Sequence, residues 1–221
     1  MIWTPVFLSL QVSLIATICA LPLAIWVARV LAHGTSRWHS VLNGFVHLPL
    51  VLPPVVTGYL LLVVFGRQGT VGAVLYDLFG VTLAFRWTGA ALAAGIMGFP
   101  LMVRAIRLGF EAVDPGLEAA AQTLGASRAR VFRTVTLPLV APAIVAGAVL
   151  GFAKALGEFG ATITFVAAIP GQTETIPSAI YAALQVPGQE GAVVTLVCIS
   201  IALAMGALIG SEWLARRVVA R

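Results

Sequence analysis

Few side chains in this sequence can do chemistry, and most of those lie inside apolar stretches. Lys154 and Glu158 stand four positions apart, the spacing at which two side chains on one helix meet. An ionisable pair in apolar surroundings is a functional candidate by default. It serves equally well as an internal salt bridge that fixes a helix end against the turn Gly157–Gly160. This structural role is preferred: replacing Glu158 with Ala would strand Lys154 and impair folding or gating more than ligand choice. The other candidates are hydroxyls and glycines, Thr57, Gly58, Thr162 and Thr164, together with Pro53-Pro54, where a broken helix would bare backbone N–H groups. Uncharged donors suit transient binding of a polar species, but Ser, Thr and Gly also mediate ordinary helix packing in lipid.

Several kinds of chemistry are not expected. No glycine loop ending in Gly-Lys-Ser/Thr is present, so the chain itself should not hydrolyse ATP. No nucleophile elbow occurs, and no cofactor or catalytic residue is expected. Cys19 and Cys198 have no CxxC spacing and read as buried thiols. His33, His39 and His47 form no metal-ligand pattern and read as structural or interfacial.

The elements that must position these residues follow from composition. The chain has 221 residues, 60% of them hydrophobic and 10% charged, with a mean hydropathy of +1.04. A soluble domain carries about 25% charged residues, so lipid is the expected solvent. Five stretches reach spanning length: Phe7–Leu31, Asn43–Phe65, Gly89–Leu108, Leu139–Leu156 and Ala192–Leu214. Helix is the expected state of each, because backbone groups in lipid must be satisfied within their own segment. Prolines 22, 49, 53, 54, 100 and 142 fall in or at the ends of these stretches, and each local break needs protein or water around it. The segment Met1–Pro5 has no basic region, so the first apolar run reads as a retained helix rather than a cleaved signal.

Arginine placement sets an expected orientation. With the N-terminus outside, Arg29, Arg37, Arg104, Arg107, Arg128, Arg130, Arg133, Arg216, Arg217 and Arg221 all fall at the inner face, ten of the thirteen basic residues. Arg67 and Arg86 then face out, with Lys154 near the outer end of the fourth span. Arg104 and Arg107 could guide an anion at the inner mouth, but snorkelling to headgroups is the commoner explanation. Basic residues interleaved with lipid-facing spans also disfavour nucleic acid as a partner. The stretch Phe159–Ala183 is broken by Pro170-Gly171, Glu174 and Pro177. It reads as a partial or re-entrant helix with an external turn, within a segment of about 158–190. A sixth crossing there would put the C-terminal arginines outside.

One sizeable connector joins the third and fourth spans, at about 110–137. Asp114-Pro115 looks like an N-cap followed by proline in the first helical turn. Leu117–Leu124 is rich in helix formers, Gly125 stops the helix, and Ser127 caps a second one through Phe132. Two short helices joined at a glycine elbow are expected, lying parallel to the bilayer. Their alanines leave room for a partner, and their arginines also suit lipid headgroups.

This connector resembles the coupling motif of bacterial ABC importer permeases, written E-A-A, three residues, G, nine residues, I-x-L-P. Gly125 and Val135-Thr136-Leu137-Pro138 keep that spacing, while the glutamate position falls on Ala119 and the acid moves to Glu118. Residues His47–Tyr59 resemble the second-span signature of oxyanion permeases, and Gly157–Ala161 a segment shared with sulfate-type permeases. Thr162–Phe165, Ile169–Gly171, Thr175–Pro177, Ala179–Tyr181 and Ser211–Arg216 are closer to the molybdate branch. The resemblance covers about residues 7–217. It implies an all-α membrane protein of the type I importer permease fold, with five transmembrane helices, six if Phe159–Ala183 crosses, and short cytoplasmic coupling helices.

As one permease domain over 1–221 in a bacterial inner membrane, N-terminus out and C-terminus in, the chain would pass molybdate or tungstate by alternating access. The implied partners are a second permease copy, cytoplasmic ABC ATPase subunits and a periplasmic molybdate-binding protein. The resemblance gives coupling roles to Glu118, Ala119, Ala120, Ala121, Gly125, Ala126, Leu137 and Pro138. Path or gate roles fall to Pro53, Pro54, Thr57, Gly58, Glu158, Thr162 and Thr164. A tetrahedral oxyanion needs donors but no deep charge trap, since a site that holds too tightly cannot release. A sulfate or thiosulfate permease would keep the same fold. An ion-driven carrier would need no ATPase; the coupling motif, and the lack of an inverted repeat or a mid-membrane carboxylate, argue against it.

Overall fold

The computed structural model describes residues 2–34 and 36–219, with side chains through Gly210. The expectations on Ser211–Arg216, Arg217 and Arg221 therefore lie outside the described side chains. The chain folds as α1 (Trp3–His33), α2 (Arg37–Val51), α3 (Pro54–Phe65), α4 (Thr70–Phe79), α5 (Trp87–Glu111), α6 (Pro115–Thr123) and α7 (Arg128–Val131). A π-helical turn (Phe132–Thr136) follows, then α8 (Leu137–Leu156), α9 (Gly160–Phe165), α10 (Ile176–Ala183) and α11 (Glu190–Val219). No strand occurs among the described residues. Continuous helices of 31 residues (α1), 25 (α5), 29 (α7 through α8) and 21 (α11, to Gly210) are long and apolar enough to cross a bilayer.

The stretch Asn43–Phe65, expected to span with a break at Pro53-Pro54, is broken there and adds a fifth crossing only where its two halves count as one span. It is a pair of helices, α2 and α3, bent by 112°. The cause is local. Pro53 and Pro54 supply no N–H, and proline disfavours helical torsions in the residue before it. Leu52 and Pro53 accordingly hold ψ of 142° and 133°. Pro22, Pro49, Pro100 and Pro142, each alone, remain inside helices. The short helix α4 joins this broken span to α5.

Helices gain no hydrophobic driving force from one another in lipid, so close packing must hold them. Small residues permit it. Gly98 of α5 faces Gly151 of α8, where an added Cβ would stand 3.0 Å from the Gly151 carbonyl oxygen, and Gly147 sits over Met102 and Ile106. One apolar cluster joins α1, α3, α5 and α9 through Val12, Leu61, Ala94, Met97 and Phe165. A second joins α1, α2, α5 and α8 through Leu31, Val46, Ile106 and Val140. A third seats α10 and α11 on the start of α1 through Val6, Ile176 and Leu196.

Two readings change here. Cys19 and Cys198 are exposed rather than buried; an apolar thiol on a lipid-facing protein need not be covered by its own chain. The second connector helix is not separate from the fourth span, because α7 runs through the π-helical turn into α8.

Candidate functional site

Two regions hold the candidate residues. The first is the connector after α5. The Asp114 carboxylate accepts from the Gly116 N–H at 2.8 Å, and α6 starts at Pro115. Gly125 ends it with φ +85°, a left-handed torsion that suits glycine. The Ser127 hydroxyl then accepts from Arg130 N–H to open α7. No residue of α6 is buried. Ala119, Ala120 and Gly125 are open to solvent, and Leu124 is 89% exposed. Ala121, Ala126 and Leu137 are half-buried, and Pro138 is exposed at the start of α8. Glu118 differs from its neighbours: its carboxylate accepts from the hydroxyl of buried Thr136. Sequence reasoning gave Thr136 no role, since it fills the variable position of the V-T-L-P run.

Arginines gather at this end. The Arg29 guanidinium lies 4.1 Å above the Phe132 ring. Arg107 pairs with Glu111 at 2.6 Å and donates to Asn43 Oδ1 at 3.3 Å, which pins α2 to α5. Two of its donors are thus engaged within the chain.

The second region is where the bent span meets α9. Gly58 lets the two backbones touch. Pro53 and Pro54 sit exposed at the start of α3, with Gly160 against the Pro54 ring. Glu158 is buried, its Oε2 2.6 Å from Lys154 Nζ and its Oε1 accepting the Ala161 N–H at 3.0 Å. The carboxylate therefore also caps α9, a bond that pair spacing alone did not reveal. Thr162 and Thr164 donate to the Phe159 and Gly160 carbonyls, both at 2.9 Å. The turn that follows is latched by Thr173, which accepts from Ile169 N–H and donates to the Ala167 carbonyl. Ser9 of α1 accepts the first N–H of α10, from Ile176, at 2.7 Å.

Thr57 and Thr88 are the described residues whose buried hydroxyls have no partner. A hydroxyl in that state costs stability. Thr57→Val should therefore leave the stability of the detergent-solubilised protein unchanged or raise it by about 1 kcal/mol, read as an unchanged or higher thermal midpoint. A loss of anion uptake at unchanged stability would place Thr57 on the transport route.

The profile of the binding-protein-dependent transport system inner membrane component matches residues 20–220. The chain belongs to this family. Among its relatives is the molybdenum transport system permease protein ModB of Escherichia coli (strain K12), 59% identical over 97% of this chain and 93% of that protein. The ModB of Haemophilus influenzae is 54% identical over 96% of this chain and 92% of the relative. In fold, this family member resembles the crystal structure of a bacterial ABC transporter involved in the import of the acidic polysaccharide alginate. The TM-score is 0.75 at 18% identity, covering 97% of this chain and 78% of that one. The chain is therefore an all-α membrane permease of the type I importer fold.

Proposed function

We propose that this chain is the membrane-spanning subunit of an ATP-driven importer of molybdate, working as a homodimer in a bacterial inner membrane. The carrying observation is the 59% identity to a molybdenum permease over 97% of the chain. Helices α6 and α7 form the cytoplasmic surface that docks an ABC ATPase, with Leu124 and the Gly125 turn as the projecting point. The N-terminus lies outside, because this sets the arginine-rich end at the cytoplasm. A periplasmic binding protein delivers the anion to the other end. The path runs beside the α3–α9 contact, with Pro53, Pro54, Thr57, Gly58, Thr162 and Thr164 around it and Glu158 bracing α9. Nucleotide shifts the balance between inward-open and outward-open states through its differential hold on the loop.

Uptake into vesicles that hold the permease, its ATPase and its binding protein tests this reading. Molybdate should enter only with ATP, and tungstate should compete better than sulfate. Uptake without the ATPase would instead mark an ion-driven carrier, and equal competition by sulfate a sulfate permease. Leu124→Asp should leave folding intact, as the side chain is solvent-facing, yet weaken ATPase co-purification about tenfold or more.

A further inference from the structure

We infer that Glu118 faces inward as a positioning residue, clamping α6 to the π-helical turn at the base of α8, so that displacement of the loop reaches the transmembrane helix. The inference deepens the coupling-loop reading above and rests on it.

Helix α6 buries none of its residues, so packing does little to fix it. Among the described residues, the bond from Thr136 to Glu118 is the sole side-chain hydrogen bond joining α6 to an element beyond its own loop. It reaches across 18 positions of sequence. Thr136 is 3% exposed and closes the turn Phe132–Thr136, where the Leu137 N–H bonds back to the Phe132 carbonyl. A single π turn within an α-helix carries one extra residue and frequently marks a functional position. Here it is gripped twice: α6 holds it through Thr136, and α1 holds it through Arg29 stacked on Phe132.

The elbow at Gly125 explains why a clamp matters. A push on α6 that met only a glycine turn would be taken up by rotation there. With Glu118 bound to Thr136, α6 and the foot of α8 move as one body. The shift of the acid by one position from the family motif fits this role. One residue turns a side chain by about 100° round a helix, which separates half-buried Glu118 from exposed Ala119. Glu118 forms no ion pair among the described residues, although Arg29, His33 and Arg128 line a cavity of about 150 Å³ beside it. Its hold on the turn is therefore the directional bond from a buried hydroxyl.

Vesicles holding the full complex allow ATP hydrolysis and molybdate uptake to be read on one preparation, with ATPase retention checked by co-purification. Glu118→Ala and Thr136→Val should keep the ATPase bound and hydrolysing, while molybdate moved per ATP falls about five- to tenfold. Glu118→Gln and Thr136→Ser keep an acceptor and a donor, and should stay within about twofold of the parent. Glu118→Ala changes an exposed helix, so it supplies the test even where Thr136→Val fails to assemble. An unchanged ratio in Glu118→Ala overturns the clamp. Loss of the ATPase from that variant overturns it too, since Glu118 would then face the partner. Failure of the underlying reading looks different: Leu124→Asp would leave the ATPase bound whatever the ratio does.

Discussion

Glu158→Ala is expected to destabilise the permease by about 3 kcal/mol, read as a lower thermal midpoint of the detergent-solubilised protein. The side chain of Glu158 is 1% exposed and that of Lys154 is 29% exposed. Truncation leaves the ammonium without its partner at 2.6 Å and the Ala161 N–H without its acceptor. Breaking a buried pair costs about 3–5 kcal/mol, and the partial exposure of Lys154 puts this case at the low end. Glu158→Gln should be milder, because an amide oxygen still accepts from Ala161. Lys154→Ala combined with Glu158→Ala should recover part of the loss, and the double-mutant cycle isolates the pair. An unchanged midpoint in Glu158→Ala would sink the bracing role. Altered anion preference with normal assembly and normal ATPase coupling would move the pair into the transport path.

Gly58→Val should prove more damaging, with little folded protein recovered. A Cβ at Gly58 would stand 2.5 Å from the Ala161 carbonyl oxygen, 2.9 Å from the Ala161 Cα and 2.8 Å from the Thr164 Cβ. Two of these three atoms are backbone, so no rotamer change relieves the clash and α9 must leave α3. Overpacking of a close contact costs about 1–3 kcal/mol and more where backbone must move. Gly58→Ala measures the smallest version of the effect. Gly44→Ala is the control, since its Cβ meets nothing within 4 Å. It should be neutral or stabilising by up to about 1 kcal/mol through helix propensity. Size-exclusion profiles and thermal midpoints of the three variants read the order. Equal behaviour of Gly58→Ala and Gly44→Ala would show that the α3–α9 contact is dispensable.

The two variants also mark how far sequence reasoning reaches. The Lys154–Glu158 pair was readable from its spacing of four, although α8 ends at Leu156 and Glu158 reaches back to Lys154 from the turn beyond the helix. Its second bond, to Ala161, was not, because that depends on how α9 turns back after Gly157. Gly58 was singled out as a small residue with two uses, and its close approach to the Ala161 backbone showed only in the tertiary structure. The bend of 112° at Pro53-Pro54 was foreshadowed by two adjacent prolines, yet its angle follows from what α3 packs on. Thr136 carried no signal of its own, since a threonine beside a helix start has many uses.

The four continuous spanning helices, the break at Pro53-Pro54, the start of α6 at Asp114-Pro115 and the turn at Gly125 were legible in the sequence alone. These are set by local chemistry: apolar run length, missing N–H groups, cap residues and the free torsion of glycine. Tertiary structure decided which candidate groups are already engaged and which remain free. It committed the Thr162 and Thr164 hydroxyls to carbonyls one turn back, tied Arg107 to Glu111 and Asn43, turned Glu118 toward Thr136, and left Thr57 unpartnered. In lipid no hydrophobic gain separates one helix face from another. Which polar groups meet is therefore settled by close packing between elements distant in sequence, and no local pattern records that.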